Sequence, residues 1–283
     1  MNRQSAFGAL QSDVQAFSTQ VIALPLRRYQ QEWAQYVLEV VRGGRDETVT
    51  VEMPRQTGKN QTSAHLELCV LGWAGYRAEG GRIIKAAPTF QQVANSIDRS
   101  RSMAERVMAR VGWLKYTSRR GHQLVCGRAA ISFLSAQPKS SVVGETASLL
   151  MEVDEAQDVS PAKYDKDFSP MRASTAAPVV AYGTTWTDDT LLEQFKQSVL
   201  EGRVRGRVFR VLPEQVCNEN EAFARHLERE IARLGRDHPL MRTQYYLEPL
   251  KSKGRLLSDQ QLRQMVGGLP RGAAGGVAAV AHL

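Results

Sequence analysis

Met53-Pro54-Arg55-Gln56-Thr57-Gly58-Lys59-Asn60 is the stretch on which the reading of this chain turns. It departs twice from the phosphate-loop pattern G-x-x-x-x-G-K-[ST]: Met53 stands at the first glycine, and Asn60 at the hydroxyl that faces magnesium. Taken alone, Gly58-Lys59 reads as an exposed turn carrying a solvated lysine, so the flanks decide. Upstream, residues 48–53 (TVTVEM) alternate with β-branched side chains and predict a strand. Downstream, Ala64, Leu68 and Leu71 recur at helical spacing and predict a helix over 61–73. Strand, turn, Gly-Lys and helix, in that order, is what a phosphate site needs, because backbone N–H groups and a helix N-terminus must converge on the phosphates. Met53 is tolerable as the last strand residue if Gly58 alone supplies the permissive backbone. Asn60 still offers an oxygen.

A nucleotide site also needs a strand ending in acid, and residues 148–157 (SLLMEVDEAQ) predict one. Asp154 would hold Mg2+ largely through its water shell, and Glu155 would polarise the attacking water. The competing reading is a strand followed by an acidic turn. A third segment, residues 178–186 (PVVAYGTTW), is strand-like. It brings Gly183, Thr184 and Thr185 beside the first strand, at the sheet edge where ligands bind and a γ-phosphate can be sensed. Alternatively, the threonines cap a helix that starts near Asp189.

Composition bounds the rest. The 283 residues are 42% hydrophobic and 23% charged, enough for one large domain. A net charge of +8 favours a polyanionic partner without locating the contact surface. Clusters at 99–101 and 203–210 are candidates for phosphate contact, against the plainer reading of solvated helix faces. Cys69, Cys126 and Cys217 form no C-x-x-C pair, and the histidines show no zinc spacing. The longest apolar run, residues 66–74, is interrupted by Glu67 and Gly72 and is about half a membrane span. The N-terminus has no basic-then-apolar signal segment. No membrane partner and a cytoplasmic location are expected.

Along the chain, a leading helix is expected at 28–41, then alternating strands and helices from 48 to about 197. Within them a hairpin pairs 122–125 with 130–134 around Cys126-Gly127-Arg128. This alternation predicts a three-layer α/β domain with a mainly parallel sheet. Residues 207–264 read as mostly helical, giving an expected division into a core at 1–205 carrying the N-terminal adenine-binding segment, a lid at 206–265 and a linker or tail at 266–283.

Together M-P-R-Q-T-G-K-N, L-L-M-E-V-D-E-A-Q and Y-G-T-T resemble the ATPase region of the large subunit of tailed-phage terminases, the motors that pump DNA into an empty capsid. Leu26-Arg27-Arg28-Tyr29-Gln30 resembles that family's adenine-reading L-R-x-Y-Q, and the departures at Met53 and Asn60 are ones the family commonly shows. The resemblance spans roughly residues 20–265. It implies a P-loop NTPase of the RecA-like, additional-strand class, using ATP and Mg2+. Lys59 would contact the β- and γ-phosphates, within a nucleotide set of Arg55, Gln56, Thr57, Gly58, Lys59, Asn60 and Gln61. Gln30 would read adenine, Asn60 would share Mg2+ with Asp154, and Thr184 or Thr185, with Gly183, would couple hydrolysis to movement. Arg55 would act as a catalytic arginine within the loop; its other reading is a loop arginine paired with a nearby carboxylate. A cation from a neighbouring subunit is also implied, and Arg101, Arg119, Arg120 and Lys139 stay open for that role.

The implied partners are double-stranded DNA, a homo-oligomeric ring (a pentamer on the portal), the portal protein and the small terminase subunit. The implied location is the host cytoplasm and, transiently, the procapsid portal vertex. In that family a ribonuclease-H-like nuclease domain follows. After Leu250 this chain carries only Asp259, whereas a two-metal site needs several carboxylates, so nuclease activity is not expected of it. Two other classes compete. D-E-A-Q-D also resembles superfamily-one helicases, whose second RecA-like domain has no room here. A non-catalytic nucleic-acid-binding protein with a decayed nucleotide site is the other rival.

Overall fold

The computed structural model describes residues 8, 10–140, 142 and 144–251. Its centre is an eight-stranded sheet in the order β3-β4-β5-β2-β6-β7-β1-β8. The strands are β1 Thr48–Glu52, β2 Gly81–Ala87, β3 Tyr116–Arg119, β4 Gln123–Cys126, β5 Ala129–Ser135, β6 Leu150–Val153, β7 Val179–Gly183 and β8 Gly206–Arg210. All neighbours pair in parallel except β3 with β4 and β4 with β5, where a tight turn at Gly127 folds the chain back as the expected hairpin.

Both faces of the sheet are covered, as parallel strands require. Successive residues of β7 show this: Val179 and Ala181 join one buried cluster, Val180 and Tyr182 the other. The larger cluster lies beneath α1 (Arg28–Arg42), α2 (Lys59–Gly75) and α3 (Phe90–Arg110). α1 buries Trp33, Val37, Leu38 and Val41 along one stripe, with Trp33 against Tyr182 at a centroid distance of 5.2 Å. α2 contacts α1, α3 and the sheet, so it is buried almost all round. That is why its apolar run is so continuous. Among the described residues no helix is long and apolar enough to cross a membrane. α3 starts at a capping box in which Thr89 and Gln92 exchange hydrogen bonds. The smaller cluster lies beneath α4 (Leu191–Leu200) and the turns that carry Tyr164 and Phe168.

The mostly helical stretch expected after residue 206 starts later than that. Gly206–Arg210 is not helical: it pairs with β1 as the outermost strand. Only Phe209 of that strand is fully buried, so its arginine-rich sequence gives little strand signal. Helices α5 (Pro213–Cys217), α6 (Glu221–Leu234) and α7 (Pro239–Gln244) follow. Phe223, Leu227 and Met241 from them enter the larger core cluster, within a compact unit that ends at Leu250. Residues 252–265 of the expected lid and the whole expected tail at 266–283 lie outside the described residues.

Candidate active site

The strand order places β7 between β6 and β1, so three neighbouring strand ends bring the three segments together. β1 runs out at Glu52, and the next amide, Met53 N, donates to Gly183 O at 3.1 Å. Met53 is fully buried in the core. It is its carbonyl that faces the loop, so a glycine is not needed there. Thr57 Oγ1 donates to Pro54 O at 2.7 Å and closes the turn. Gly58 adopts φ +93°, and a Cβ at that position would lie 2.3 Å from Gln30 Nε2. Both left-handed backbone and close approach require glycine there.

Lys59 opens α2 and folds back beneath the loop, with Nζ 3.4 Å from the carbonyls of Met53 and Pro54 and 3.1 Å from Thr184 Oγ1. It is only 5% exposed, which rules out a solvated lysine. Burial lowers its pKa, against the pull of Glu155 and Asp154. Asn60 Nδ2 donates to Asp154 Oδ2 at 2.9 Å, so the two residues assigned to Mg2+ do meet. Asp154 is 1% exposed; burial raises its pKa, opposed by Lys85 and Lys59. Its Oδ1 accepts from Glu155 N at 3.0 Å.

Glu155 follows with left-handed backbone, φ 44° and ψ 52°, a conformation that costs free energy in a residue bearing Cβ and recurs at functional sites. Thr184 and Thr185 cap no helix. Thr184 Oγ1 donates to Met53 O at 3.0 Å, Thr185 Oγ1 donates to Glu52 Oε1 at 2.9 Å, and the cap of α4 is Thr190. Arg55 lies at the exposed tip of the loop. Its Nη1 donates to Gln244 Oε1 of α7 at 3.3 Å, and among the described residues it forms no ion pair with a carboxylate. Gln30 is buried against the loop: Nε2 donates to Thr57 O at 2.9 Å, while Oε1 accepts from Arg27 N at 2.9 Å. Gln61 points away from this cluster and lines a cavity between α2 and α3.

The four residues left open as a neighbour-donated cation all lie toward the same edge of the sheet. Lys139 follows the end of β5. Arg119 and Arg120 lie at the turn after β3, where His122 O accepts from Phe133 N, and Arg101 Nη2 donates to Gly121 O of that turn.

Two features escaped sequence reading. Gln157 bridges Glu155 to the end of β7: Nε2 donates to Glu155 Oε2 at 2.8 Å, and Oε1 accepts from Thr184 N at 3.1 Å. The only signal was an amide one short turn past the acidic pair. Beneath the site lies a buried polar set. Lys85 Nζ donates to Glu67 Oε1 at 2.7 Å and to Ser63 Oγ at 2.6 Å, with Glu152 Oε2 at 3.9 Å. Ser100 Oγ donates to Glu67 and Tyr182 OH to Glu152. Burial works against the charge on Lys85, but Glu67 and Glu152 outweigh it and raise its pKa; burial, with Glu67 adding, also raises the pKa of Glu152, opposed by Lys85 and by the hydrogen bond from Tyr182. A charged residue inside each of three apolar segments, Glu67, Lys85 and Glu152, was the trace of this set in the sequence.

No protein-family model matches the sequence, and no curated protein aligns with it. Solved structures do share the fold. The large terminase of bacteriophage HK97 superposes with a TM-score of 0.68 at 14% identity, over 84% of this chain and 55% of that one. The large terminase ATPase domain of Thermus phage P74-26 superposes with a TM-score of 0.60 at 15% identity, over 80% of this chain and 95% of that one. A large terminase from a thermophilic bacteriophage, in complex with ADP, gives 0.58 at 12% identity, over 78% of this chain and 52% of that one. The chain therefore has the fold of a terminase P-loop ATPase domain and spans about half the length of the whole large terminases it matches.

Proposed function

We propose that this chain is the ATP-hydrolysing motor domain of a terminase large subunit, which moves double-stranded DNA into a procapsid. The observation that carries the reading is the meeting of Lys59, Asn60, Asp154 and Thr184 at three adjacent strand ends, with Glu155 beside them. The shared fold supports it, as do neighbours solved with ADP and with ATP-gamma-S.

In this reading Lys59 neutralises the β- and γ-phosphates as α2 points its free N–H groups at them. Glu155 orients the attacking water and takes its proton, Thr184 senses the γ-phosphate from the lysine's own partner position, and Arg55 offsets charge in the transition state. Asp154 and Asn60 present oxygen donors. Among the described residues no group of three His, Cys, Asp or Glu side chains could cage a metal. That donor set fits Mg2+, which keeps waters and binds through one or two carboxylates plus phosphate. When bound, Mg2+ neutralises phosphate charge. We propose a ring on the portal, contact with the small subunit and a host-cytoplasmic location.

The test is ATP hydrolysis by the pure chain over a concentration series, with and without double-stranded DNA, at low and high salt. Specific activity should rise with concentration or DNA and fall with salt, because phosphate contacts are lost as counterions return. Undetectable hydrolysis throughout would favour a non-catalytic nucleic-acid-binding protein. Activity stimulated by single-stranded DNA alone would favour a helicase-like ATPase.

A further inference from the structure

We infer that Lys85, Glu67 and Glu152 are positioning residues for the reaction: they fix α2 over β6, so that Asn60 and Asp154 stay opposed while nucleotide is bound; this rests on the ATPase reading above. Two rungs join the helix to the strand. Asn60, Ser63 and Glu67 recur at i, i+3 and i+7 and so share one face of α2. Glu152 and Asp154 are two residues apart on a strand whose ladder continues through Asp154 N to Ala86 O at 2.8 Å, so they share one face of the sheet. The upper rung is Asn60 to Asp154 at 2.9 Å. In the lower rung Lys85, the cross-strand partner of Glu152, lies 3.9 Å from Glu152 Oε2 and donates to Ser63 Oγ at 2.6 Å and Glu67 Oε1 at 2.7 Å on the helix.

The lower rung is anchored on both flanks. Ser100 of α3 donates to the other Glu67 oxygen at 2.8 Å, and Tyr182 of β7, next to Gly183, donates to Glu152 Oε1 at 2.7 Å. All six side chains of the set are at most 2% exposed. Stability alone does not account for them: taking such groups out of water is costly, and apolar side chains of similar volume commonly serve a core as well or better. What apolar contacts lack is direction. The upper rung consists of the two residues assigned to Mg2+, so a bound nucleotide and its ion compete for that hydrogen bond. The lower rung, one helical turn deeper, is left to hold helix and strand in a single register through turnover, where a small misplacement of the reacting groups is expensive in rate.

The test compares the full chain with one combined variant, Glu67→Met, Lys85→Met, Glu152→Met and Tyr182→Phe, which replaces the set by apolar side chains of similar size. Its denaturant midpoint should match or exceed the parent's and its ADP affinity should stay within about twofold. Its kcat should fall about tenfold, and its amides at 60–67 should exchange hydrogen about tenfold faster with ADP bound. Parental kcat in the folded variant would overturn the inference, as would a fall in kcat matched by equal losses of stability and ADP affinity. If the combined variant does not fold, Tyr182→Phe and Ser100→Ala decide: each loses one hydroxyl and should lower kcat about threefold with KM unchanged, and parental kcat in both would overturn the inference. A parent chain that hydrolyses no ATP is a different result, which takes down the ATPase reading and this inference with it.

Discussion

Glu155 and Thr184 are joined through one side chain: Gln157 donates to the carboxylate at 2.8 Å and accepts from the Thr184 amide at 3.1 Å. The proposed general base and the residue that partners Lys59 therefore cannot move independently while that amide is in place. Gln157→Ala should lower kcat by roughly ten- to hundredfold with little change in KM, because it misplaces the carboxylate without touching the phosphate contacts. Gln157→Glu should be worse, since it sets a like charge against Glu155. Steady-state ATPase kinetics check both, and a rise in KM alone would argue against positioning.

Glu155→Gln should bind ATP as the parent does while losing turnover by roughly 10² to 10⁴-fold, because an amide of the same shape cannot take a proton. Nucleotide titration beside a single-turnover assay measures the two halves separately. Near-parental hydrolysis would remove Glu155 from the role of base.

Lys59→Ala and Arg55→Ala should fail differently. The lysine is buried beneath the loop, so its loss should cost about 1.5–3 kcal/mol of nucleotide affinity, the size of a charge-assisted hydrogen bond. Arg55, exposed and with no carboxylate at ion-pair distance among the described residues, should lose rate far more than affinity. A loss near 10³-fold in kcat is expected if it acts in the transition state. Equal losses of rate and affinity in Arg55→Ala would demote it to a binding residue.

Acid should loosen the fold through His65. Ser18 Oγ donates to Val14 O, so the Nδ1–H of His65 donates to Ser18 at 2.8 Å, which leaves Nε2 buried without a partner. Burial, with Arg106 adding, pulls its pKa down to about 4. The unfolded imidazole takes up a proton below its ordinary 6.5, whereas the folded one resists until about 4. Stability is therefore undiminished above pH 6.5 and falls between there and pH 4, by about 3 kcal/mol in all. Denaturant midpoints at pH 7.5 and 4.5 should diverge less in His65→Asn than in the parent.

The chemistry was legible where it is local. Strand, loop and helix around Gly58-Lys59, and a strand ending in Asp154-Glu155, are contiguous patterns, and each lies where its neighbours in sequence require. That Thr184 faces Lys59 depends instead on β7 being inserted between β6 and β1, a choice of strand order that periodicity does not encode. Gln30 shows the same limit: its motif marks the residue, but its hydrogen bonds to Arg27 and Thr57 are visible only in three dimensions. β8 was missed because arginines at 207 and 210 flank its one fully buried residue, and such a stretch looks solvated.

That same strand limits how copies of the chain can meet. Gly206 begins it because a Cβ there would lie 1.8 Å from Thr48 O, so β8 is pressed closely against β1. Among the described residues it is the outermost strand; Arg207 lies over the rings of Tyr36 and Phe209, and Arg210 donates to the carbonyls of Tyr246 and Leu247. Cations on an edge strand disfavour its pairing with a second identical edge. In an assembly of this chain the joints would then be made by helices and loops, which can slide and reset, and not by a continuous ladder of backbone hydrogen bonds, which would lock one subunit rigidly to the next.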